Sequence, residues 1–381
     1  MAFITCPLRE AGSISRDQPA VIGREHEILY GELDLMASAC QRNLLEAGIE
    51  QGDRVALYLE DGLHAIALLF ALFRIGAIAC PINTTLPVRD VRERLKSIAC
   101  VKLIARTGEE SRRVLKGIRI HDPGELVPEK ITLPFSQEEL KIPVEQPATI
   151  VFTPGRAGKP KAVLHTIKNH YYSAFGANIN VRVRSGDRWL LSRPLYHVGG
   201  MGILFRCFSS GATVVLMETG RALEDMMETH RVTHLTLEPD QLIHLLEKNL
   251  SEKTRSRLKA VMLGGGTLTD PVWHRARADH WPIIPTYGLT EMNSQVTAMP
   301  ATAPMDKRNT AGSLLKYRRL LLAEDGEIMV KGETLFKGYV DGPDLFLPVD
   351  AEGWFATGDI GRMDEDGYLT VDGRKDNPLA T

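Results

Sequence analysis

Thr286-Tyr287-Gly288-Leu289-Thr290-Glu291 is the stretch of this 381-residue chain from which its fold and chemistry are first inferred. It follows an apolar segment that ends at Ile284-Pro285. Two hydroxyls, an aromatic ring, a glycine and a carboxylate within six residues could stack on a base, approach a phosphate and hold Mg²⁺, which on phosphates needs only one or two carboxylates. Six residues also fit a strand and loop with no ligand, so the surrounding sequence has to decide.

The composition is that of an ordinary globular protein, with 44% hydrophobic and 25% charged residues and a formal net charge of −2. The length predicts two or three structural units. Basic residues are scattered, and the pairs Arg112-Arg113 and Arg318-Arg319 are too short to form a basic tract. We therefore expect no nucleic-acid partner.

Five cysteines lie far apart along the chain and form no CxxC pair: Cys6, Cys40, Cys80, Cys100 and Cys207. We expect them to be buried and reduced, which fits a cytoplasmic location. The N-terminus has no basic segment followed by an apolar core, so no signal peptide is expected. The longest apolar run, 65–73, is too short to span a bilayer and predicts a buried helix.

Apolar segments rich in β-branched residues alternate with amphipathic segments, which predicts alternating strands and helices. Helices are predicted over 64–75 and 88–98. Strands are predicted over 54–59, 77–80, 101–105, 149–152, 189–191, 213–217, 234–237 and 259–263. This alternation predicts an α/β fold of layered, mainly parallel sheets with helices. In such folds ligands bind at the carboxyl ends of strands, and Thr153, Gly264 and Thr286 each directly follow a predicted strand.

The pattern changes after about residue 304. Segments 327–332 and 368–371 alternate like half-exposed antiparallel strands. The pairs Asp325-Gly326, Asp366-Gly367 and Asp372-Gly373 mark turns between them. We therefore predict an α/β core over 1–304, a small β-rich subdomain over 305–373 and a short terminal segment over 374–381.

A second motif, Thr153-Pro154-Gly155-Arg156-Ala157-Gly158-Lys159-Pro160-Lys161, lies after the strand predicted over 149–152. Its glycines let the backbone approach a phosphate, and successive N–H groups can form an anion-binding concavity. Two lysines add positive charge. The spacing is not that of a Walker loop, and the motif alone would equally suit a basic surface loop.

Together with two later motifs, these segments resemble the adenylate-forming enzymes of the acyl-CoA synthetase type. The family's phosphate loop usually reads T-S-G-[ST]-T-G-x-P-K, its adenine-and-magnesium motif Y-G-x-T-E and its ribose motif T-G-D. Segment 153–161, segment 287–291 and Thr357-Gly358-Asp359 match them in that order. Gly373-Arg374-Lys375-Asp376 resembles the family's hinge. The resemblance covers essentially the whole chain and implies the large N-terminal domain of the adenylate-forming fold.

The resemblance implies a ligase reaction in two steps. A carboxylate attacks the α-phosphorus of ATP, giving an acyl-adenylate and pyrophosphate, and the thiol of coenzyme A then displaces AMP. ATP, Mg²⁺ and coenzyme A are therefore the expected small molecules, with no nucleic acid, no membrane span and a homodimer left open. Because the first step brings two anions together, charge neutralisation and fixed geometry should supply most of the catalysis.

The resemblance also implies residue roles on the nucleotide side. Glu291 would hold Mg²⁺, Thr290 would contact the α-phosphate, and Arg374 would lie near the ribose and phosphate. Asp359 should accept hydrogen bonds from both ribose hydroxyls. The adenine slot would be lined by Gly264, Gly265, Gly266, Thr286, Tyr287 and Gly288. The phosphates would be contacted by Thr153, Gly155, Gly158, Lys159 and Lys161.

On the acyl side, segments 194–206 and 287–296 resemble those of family members that act on o-succinylbenzoate in menaquinone biosynthesis. By this resemblance His197 would line the acyl pocket as a positioning group, with Gly200 and Ser294 beside the substrate. Arg206 lies in an apolar helical run, and arginine is rarely buried without a partner. Because o-succinylbenzoate keeps one carboxylate free when the other reacts, we hypothesise that Arg206 faces it. A structural ion pair is the alternative.

Two departures from the family pattern leave other functions open. Pro154, Arg156 and Ala157 stand where hydroxyl residues are usual, and Pro154 removes a backbone donor, which should weaken ATP handling. The sequence ends just past the hinge motif, without the family's small C-terminal domain and its adenylation lysine. We therefore expect ligand binding with poor turnover. Another acyl- or aryl-CoA synthetase is one alternative, and a non-catalytic nucleotide- or acyl-binding remnant is another.

Overall fold

The structure is a computed structural model that describes residues 2–24, 27–130, 138–153, 159–248, 250–266, 268–307 and 309–378. Residues 154–158 of the predicted phosphate loop, including Gly155 and Gly158, lie outside the described residues. Within the described ranges, helices and strands alternate along most of the chain, and strands predominate after residue 313.

The helices are α1 (Pro7–Ile14), α2 (Tyr30–Glu46), α3 (Leu63–Ile75), α4 (Val88–Ser97), α5 (Glu109–Val114), α6 (Pro123–Leu126), α7 (Ile167–Val181), α8 (Val198–Phe208), α9 (Leu223–Thr229), α10 (Pro239–Glu247), α11 (Glu252–Arg255) and α12 (Asp270–Ala278). Up to residue 147 the strands are β1 (Phe3–Thr5), β2 (Pro19–Ile22), β3 (Glu27–Leu29), β4 (Arg54–Tyr58), β5 (Ile78–Pro81), β6 (Lys102–Ala105), β7 (Arg119–His121) and β8 (Lys141–Pro143). The middle strands are β9 (Pro147–Thr153), β10 (Lys161–Thr166), β11 (Arg188–Leu190), β12 (Thr213–Val215), β13 (His234–Leu237), β14 (Ala260–Leu263), β15 (Ile283–Leu289) and β16 (Ser294–Ala298). The last strands are β17 (Ser313–Leu314), β18 (Arg318–Leu322), β19 (Glu327–Gly332), β20 (Gly338–Asp341), β21 (Asp344–Phe346), β22 (Phe355–Met363), β23 (Leu369–Arg374) and β24 (Asn377–Pro378).

Helix α3 contains the longest apolar run, which is buried on all sides from Ala65 to Phe73. A helix that is apolar all round belongs in a core, as the sequence predicts. It ends at Ile75, and the capping residue Gly76 has a φ of +85°, in the left-handed region that favours glycine at this position. No helix in the described part of the chain is both long and apolar enough to cross a membrane. All five cysteines are buried and free of disulfides, which confirms the predicted burial.

The chain divides into two compact units, which we describe separately. Unit 1 comprises Met1–His170, Pro194–Met201 and Phe336–Leu347. Its largest sheet in the described residues has the order β21-β20-β10-β9-β5-β4-β6-β7. The centre of this sheet, from β9 to β7, pairs in parallel, whereas β10, β20 and β21 pair antiparallel.

Unit 2 comprises Tyr171–Arg193, Gly202–Leu335 and Pro348–Thr381. In one of its sheets, β12, β11, β13, β14 and β15 pair in parallel, and β16 and β17 continue from β15 in antiparallel pairing. A second, antiparallel sheet has the order β18-β19-β22-β23-β24 and forms the predicted β-rich region. This division differs from the predicted boundaries at 304 and 373, because Phe336–Leu347 adds β20 and β21 to the sheet of unit 1.

Strand β15 differs from the prediction in a way that bears on function. Its residues up to Pro285 pair in parallel with β14, and from Thr286 onward it pairs antiparallel with β16. The register shifts between Tyr287 and Gly288. The expectation that the motif follows the strand is therefore wrong for Thr286, Tyr287 and Gly288, which lie inside it, because a new antiparallel partner takes over after Pro285.

Candidate active site

A cavity of about 550 Å³ in unit 2 is lined by residues of three predicted motifs. This volume lies in the range of small-molecule sites. Its polar lining residues include Thr286, Tyr287, Asp359 and Arg374. Apolar side chains complete it, among them Leu263, Leu268, Trp273 and Val371. Gly265, Gly266, Gly288 and Gly373 bring backbone to its surface.

The glycine triplet directly follows β14, as the sequence predicts. Gly265 has a φ of +83°, which side-chain-bearing residues rarely adopt. A Cβ on Gly266 would lie 3.0 Å from Cγ of Pro239. Gly264 packs behind the cavity instead, where a Cβ would lie 3.3 Å from the Thr286 hydroxyl, which donates to the Leu263 carbonyl at 2.9 Å. The second and third glycines thus face the cavity, and the first supports Thr286.

Asp359 is the centre of a three-residue cluster on the cavity wall. The Tyr287 hydroxyl donates to Oδ2 of Asp359 at 2.7 Å, and Nη1 of Arg374 donates to Oδ1 at 2.9 Å. Burial and then the charge of Asp359 raise the pKa of Tyr287 well above its ordinary value, so the phenol stays protonated. The three residues predicted for adenine, ribose and phosphate contacts are therefore brought together.

The turn that carries Asp359 is held by its own neighbours. The Thr357 hydroxyl donates to the Ile328 carbonyl at 2.7 Å and accepts from the Asp359 backbone N–H at 3.0 Å. Gly358 has a φ of +75°, and a Cβ there would lie 2.9 Å from Nη2 of Arg374. The Thr-Gly-Asp order thus combines a buried hydroxyl anchor, a residue small enough for Arg374 to approach, and the carboxylate.

Thr290 and Glu291 lie on a short 3-10 helix, Thr290–Met292, directly after β15, and both are half-buried. Two strained residues follow, because Asn293 and Ser294 have φ values of +50° and +102°. Among the described residues no cluster of three or more His, Cys, Asp or Glu could hold a metal ion. A single carboxylate such as Glu291 fits a Mg²⁺ ion that is bound mainly by phosphates and water.

Arg206 is fully buried near the end of α8 and does not line the cavity. Its Nη2 donates to the Ser294 hydroxyl at 3.3 Å and to Oε1 of Gln295 at 3.2 Å, and its guanidinium lies 5.5 Å from the ring centroid of Trp189. Burial lowers its pKa to about 10. Within the described ranges, Nε and Nη1 have no hydrogen-bond partner and no carboxylate pairs with this side chain. The alternative of a structural ion pair therefore finds no support here.

Arg318, which sequence reasoning missed, is a second buried cation. Its Nε donates to the Gln295 carbonyl at 2.7 Å, and Nη2 donates to the Ser173 carbonyl at 3.2 Å. Burial and then the charge of Arg206 lower its pKa to about 9. Gln295 therefore links the two arginines, its side chain to Arg206 and its carbonyl to Arg318. Arg318 carried no local sequence signal, since Arg318-Arg319 resembles an exposed basic pair.

In unit 1, His197 immediately precedes α8 and Gly200 lies in its buried first turn. Nδ1 of His197 accepts from the Gly199 backbone N–H at 3.1 Å. A neutral imidazole with this bond carries its proton on Nε2. This hydrogen bond thereby fixes which ring nitrogen of a neutral His197 carries the proton and how the ring is oriented.

The described flanks of the predicted phosphate loop lie at the ends of two paired strands. Thr153 ends β9 and Lys161 begins β10, and the two residues are cross-strand partners. Nζ of Lys161 lies 4.6 Å from the ring centroid of Tyr339. Lys159 is exposed. The two described flanks of the loop thus lie on neighbouring strands of the unit 1 sheet.

Comparison with known proteins agrees with these motifs. The model of the family described as AMP-binding enzyme matches residues 8–340. A 2-succinylbenzoate--CoA ligase of Bacillus cereus (strain Q1) is 30% identical over 376 residues, which are 96% of this chain and 77% of the relative. The o-succinylbenzoate CoA synthetase (MenE) of Bacillus subtilis in complex with ATP and magnesium ion superimposes with a TM-score of 0.88 at 26% identity, covering 100% of this chain and 82% of that one. Its complex with the acyl-adenylate intermediate OSB-AMP gives a TM-score of 0.87 at 26% identity, covering 98% and 100%. The chain belongs to the family of AMP-binding enzymes.

Proposed function

We propose that this chain is an AMP-forming ligase that activates o-succinylbenzoate with ATP and transfers the acyl group to coenzyme A, in menaquinone biosynthesis. The proposal draws on two independent parts of the molecule. One is the cavity around Asp359, and the other is the buried pair of cations formed by Arg206 and Arg318. The relatives named for this activity supply the choice of reaction.

The cavity suits the adenosine part of the nucleotide. Gly265 and Gly266 leave space beside the ring of Tyr287 for a flat base, and Asp359 offers carboxylate oxygens to the ribose hydroxyls. Arg374 already neutralises Asp359 and adds positive charge at the same wall. A nucleotide bound here would meet preorganised groups, so little ordering would be needed during the reaction.

The single observation that carries the choice of acid is Arg206, fully buried without a carboxylate partner among the described residues. Taking a guanidinium out of water is unfavourable unless an anion compensates it. Arg318 adds a second buried positive charge through the shared Gln295. Ser294, which accepts from Arg206, adjoins Gly288 of the cavity, where a Cβ would lie 2.1 Å from the Ser294 carbonyl oxygen. A free carboxylate of the substrate would supply the missing negative charge.

In the reaction, the chain's own residues would position groups and neutralise charge. Asp359 would hold the ribose, Thr290 would contact the α-phosphate, and His197 would orient the acyl group. Mg²⁺, held with Glu291, would neutralise phosphate charge when bound. Arg374 would add a fixed positive charge near the reacting phosphate, which suits an attack of one anion on another.

Calorimetric titration with a non-hydrolysable o-succinylbenzoyl-adenylate mimic tests the proposal, with a fatty-acyl-adenylate mimic as the control ligand. We expect the wild-type chain to prefer the first ligand. Arg206→Met should weaken its binding by about 10- to 100-fold, as expected for lost charge-assisted hydrogen bonds. The substitution removes a buried charge at similar length, so folding should not suffer.

AMP affinity is the internal control, because Arg206 does not line the nucleotide cavity and Arg206→Met should leave this affinity unchanged. Equal binding of the o-succinylbenzoyl mimic by Arg206→Met and wild type would refute the role of Arg206. A preference of the wild type for the fatty-acyl mimic would make the protein another acyl-CoA synthetase. Binding of neither mimic would favour the non-catalytic remnant.

A further inference from the structure

Asp61 is a half-buried carboxylate of unit 1 that has no role in the proposed chemistry so far. It lies in the short loop between β4 and α3. One of its carboxylate oxygens, Oδ1, accepts from the backbone N–H of Leu195 at 3.0 Å, across 134 positions of sequence. Leu195 belongs to the turn Pro194-Leu195-Tyr196-His197, so Asp61 is bonded directly to the segment that ends in His197.

The geometry of this turn makes the bond from Leu195 important. Pro194 has no backbone N–H, so Leu195 supplies the first donor of the segment. The His197 N–H donates to the Pro194 carbonyl at 3.0 Å, which closes the turn. The N–H of Gly200 donates to the His197 carbonyl at 3.0 Å, which leads into α8. Asp61 therefore fixes one end of the turn, and α8 fixes the other.

Among the described residues, the surroundings of Asp61 provide no cation that forms an ion pair with it. It shares a cavity of about 10 Å³ with uncharged residues of β4, α3 and the turn, including Leu57, Leu69 and Tyr196. Burial raises the pKa of Asp61 to about 6, the Leu195 N–H lowers it and the neighbouring Glu60 raises it. Such a carboxylate costs free energy to ionise, and its principal compensation is the Leu195 N–H.

We propose that Asp61 is a positioning residue, whose carboxylate fixes the turn at 194–197 and thereby the ring of His197. The inference rests on the proposed function, in which His197 orients the acyl group. An ionised carboxylate accepts a hydrogen bond more strongly than a neutral one. The turn is therefore held most firmly above the pKa of Asp61 and is loosened as the pH falls below about 6.

The bond itself can be observed without any substrate. In the full chain labelled with ¹⁵N-leucine, the amide resonance of Leu195, assigned through a Leu195→Ile variant, should shift with a midpoint near pH 6. Asp61→Asn should abolish this titration, because its amide oxygen still accepts but does not ionise. A Leu195 resonance that does not respond to pH in the wild type would overturn the proposed hold of Asp61 on the Leu195 N–H, which we call the tether.

A double-mutant cycle tests whether the tether acts through His197. Asp61→Leu should weaken binding of the o-succinylbenzoyl-adenylate mimic by about tenfold, as expected for one lost hydrogen bond to a charged group. Asp61→Asn should restore most of the affinity, and AMP affinity should stay unchanged in both variants. In a His197→Ala background, Asp61→Leu should have no further effect.

The same tenfold loss in the His197→Ala background would show a merely structural role and overturn the proposal. If the wild type binds no acyl-adenylate mimic, the proposed function fails instead. The Leu195 titration distinguishes the two failures, because it reports the tether in the unliganded protein.

Discussion

Asp359 shows how much of the site is organised before a ligand arrives. Each of its carboxylate oxygens already accepts one protein donor, from Tyr287 at 2.7 Å and from Arg374 at 2.9 Å. A carboxylate oxygen has two lone pairs, so each can accept a further bond. The two protein donors therefore fix the orientation of the carboxylate and leave acceptor capacity for two neighbouring hydroxyls.

Tyr287→Phe tests this arrangement at the residue scale. The substitution keeps the aromatic face and removes one donor to Asp359, so the carboxylate should lose part of its fixed orientation. We expect AMP affinity to fall about tenfold in calorimetric titration, as for one charge-assisted hydrogen bond. Tyr58→Phe is the matched control, because among the described residues the Tyr58 hydroxyl bonds the Thr84 and Leu86 carbonyls of unit 1. Equal AMP affinity in Tyr287→Phe and wild type would mean that Tyr287 does not orient Asp359.

At this scale, the nucleotide-side residues that sequence reasoning named lie in contiguous motifs. Tyr287, Asp359 and Arg374 could be named because each stands in a short pattern with a chemical rationale. Arg318 could not, because its burial depends on carbonyls of residues far away in sequence, such as Ser173 and Gln295. Adjacent charges in a sequence do not reveal which of them folding will enclose.

At the scale of elements, β15 changes partner within a single strand. Pro285 resembles a strand end in the sequence, because proline lacks the N–H that a ladder needs. In the structure the strand continues, since β16 folds back onto it from Thr286 with a register shift after Tyr287. Strands β13 and β19 were predicted at their observed bounds, because their apolar pattern needs no knowledge of the partner. Whether a strand changes partner depends on where the following strand folds back against it, and local periodicity does not encode this.

Gly288→Ala should disrupt this strand pair. An added Cβ would lie 2.1 Å from the Ser294 carbonyl oxygen and 2.8 Å from Cα of Gln295, so the backbone of β16 would have to move. We expect the free energy of unfolding, measured with urea, to fall by about 1–3 kcal/mol. Gly108→Ala is the comparison. Its added methyl group would meet none of the described residues within 4 Å, so its free energy of unfolding should fall less. Equal losses in the two variants would show that β16 adapts without cost.

At the scale of the whole molecule, both units bury neutral histidines. His170 in unit 1 contacts the Thr149 hydroxyl at 2.8 Å, and burial, then the neighbouring His165, lower its pKa well below the ordinary value. In unit 2, His234 stacks on Trp189 with ring centroids 5.1 Å apart, and burial lowers its pKa to about 4. At these two histidines the folded protein therefore binds fewer protons than the unfolded chain below the ordinary histidine pKa of 6.5.

This difference in bound protons sets the direction in which the stability contributed by these histidines changes with pH. The contribution of His234 to stability is fully present above about pH 6.5 and is lost as the pH falls toward 4, by up to about 3 kcal/mol. Asp61 acts in the opposite direction, because its folded pKa is raised and its stability contribution grows as the pH falls. Comparing variants, rather than the wild type alone, therefore isolates the histidine.

His234→Phe should make the molecule less sensitive to acid. The variant keeps an aromatic ring against Trp189 and removes the protonation. Between about pH 6.5 and 4.5, the free energy of unfolding in urea should fall less steeply with decreasing pH than in the wild type. The two slopes should differ by about 1.4 kcal/mol per pH unit. Identical slopes would show that His234 is not protonated on unfolding in this window.

The five buried thiols can report local opening of the folded protein. Burial raises the pKa of Cys40 to about 12 and that of Cys207 above its ordinary range, so both side chains stay as unreactive thiols while the fold is closed. Alkylation therefore has to wait for a local opening, and its rate at each cysteine reports the free energy of that opening. Cys207 reports on unit 2 beside Arg206, and Cys6, Cys40, Cys80 and Cys100 report on unit 1. Without any engineered label, mass spectrometry can thus tell whether filling one site stiffens a single unit or both.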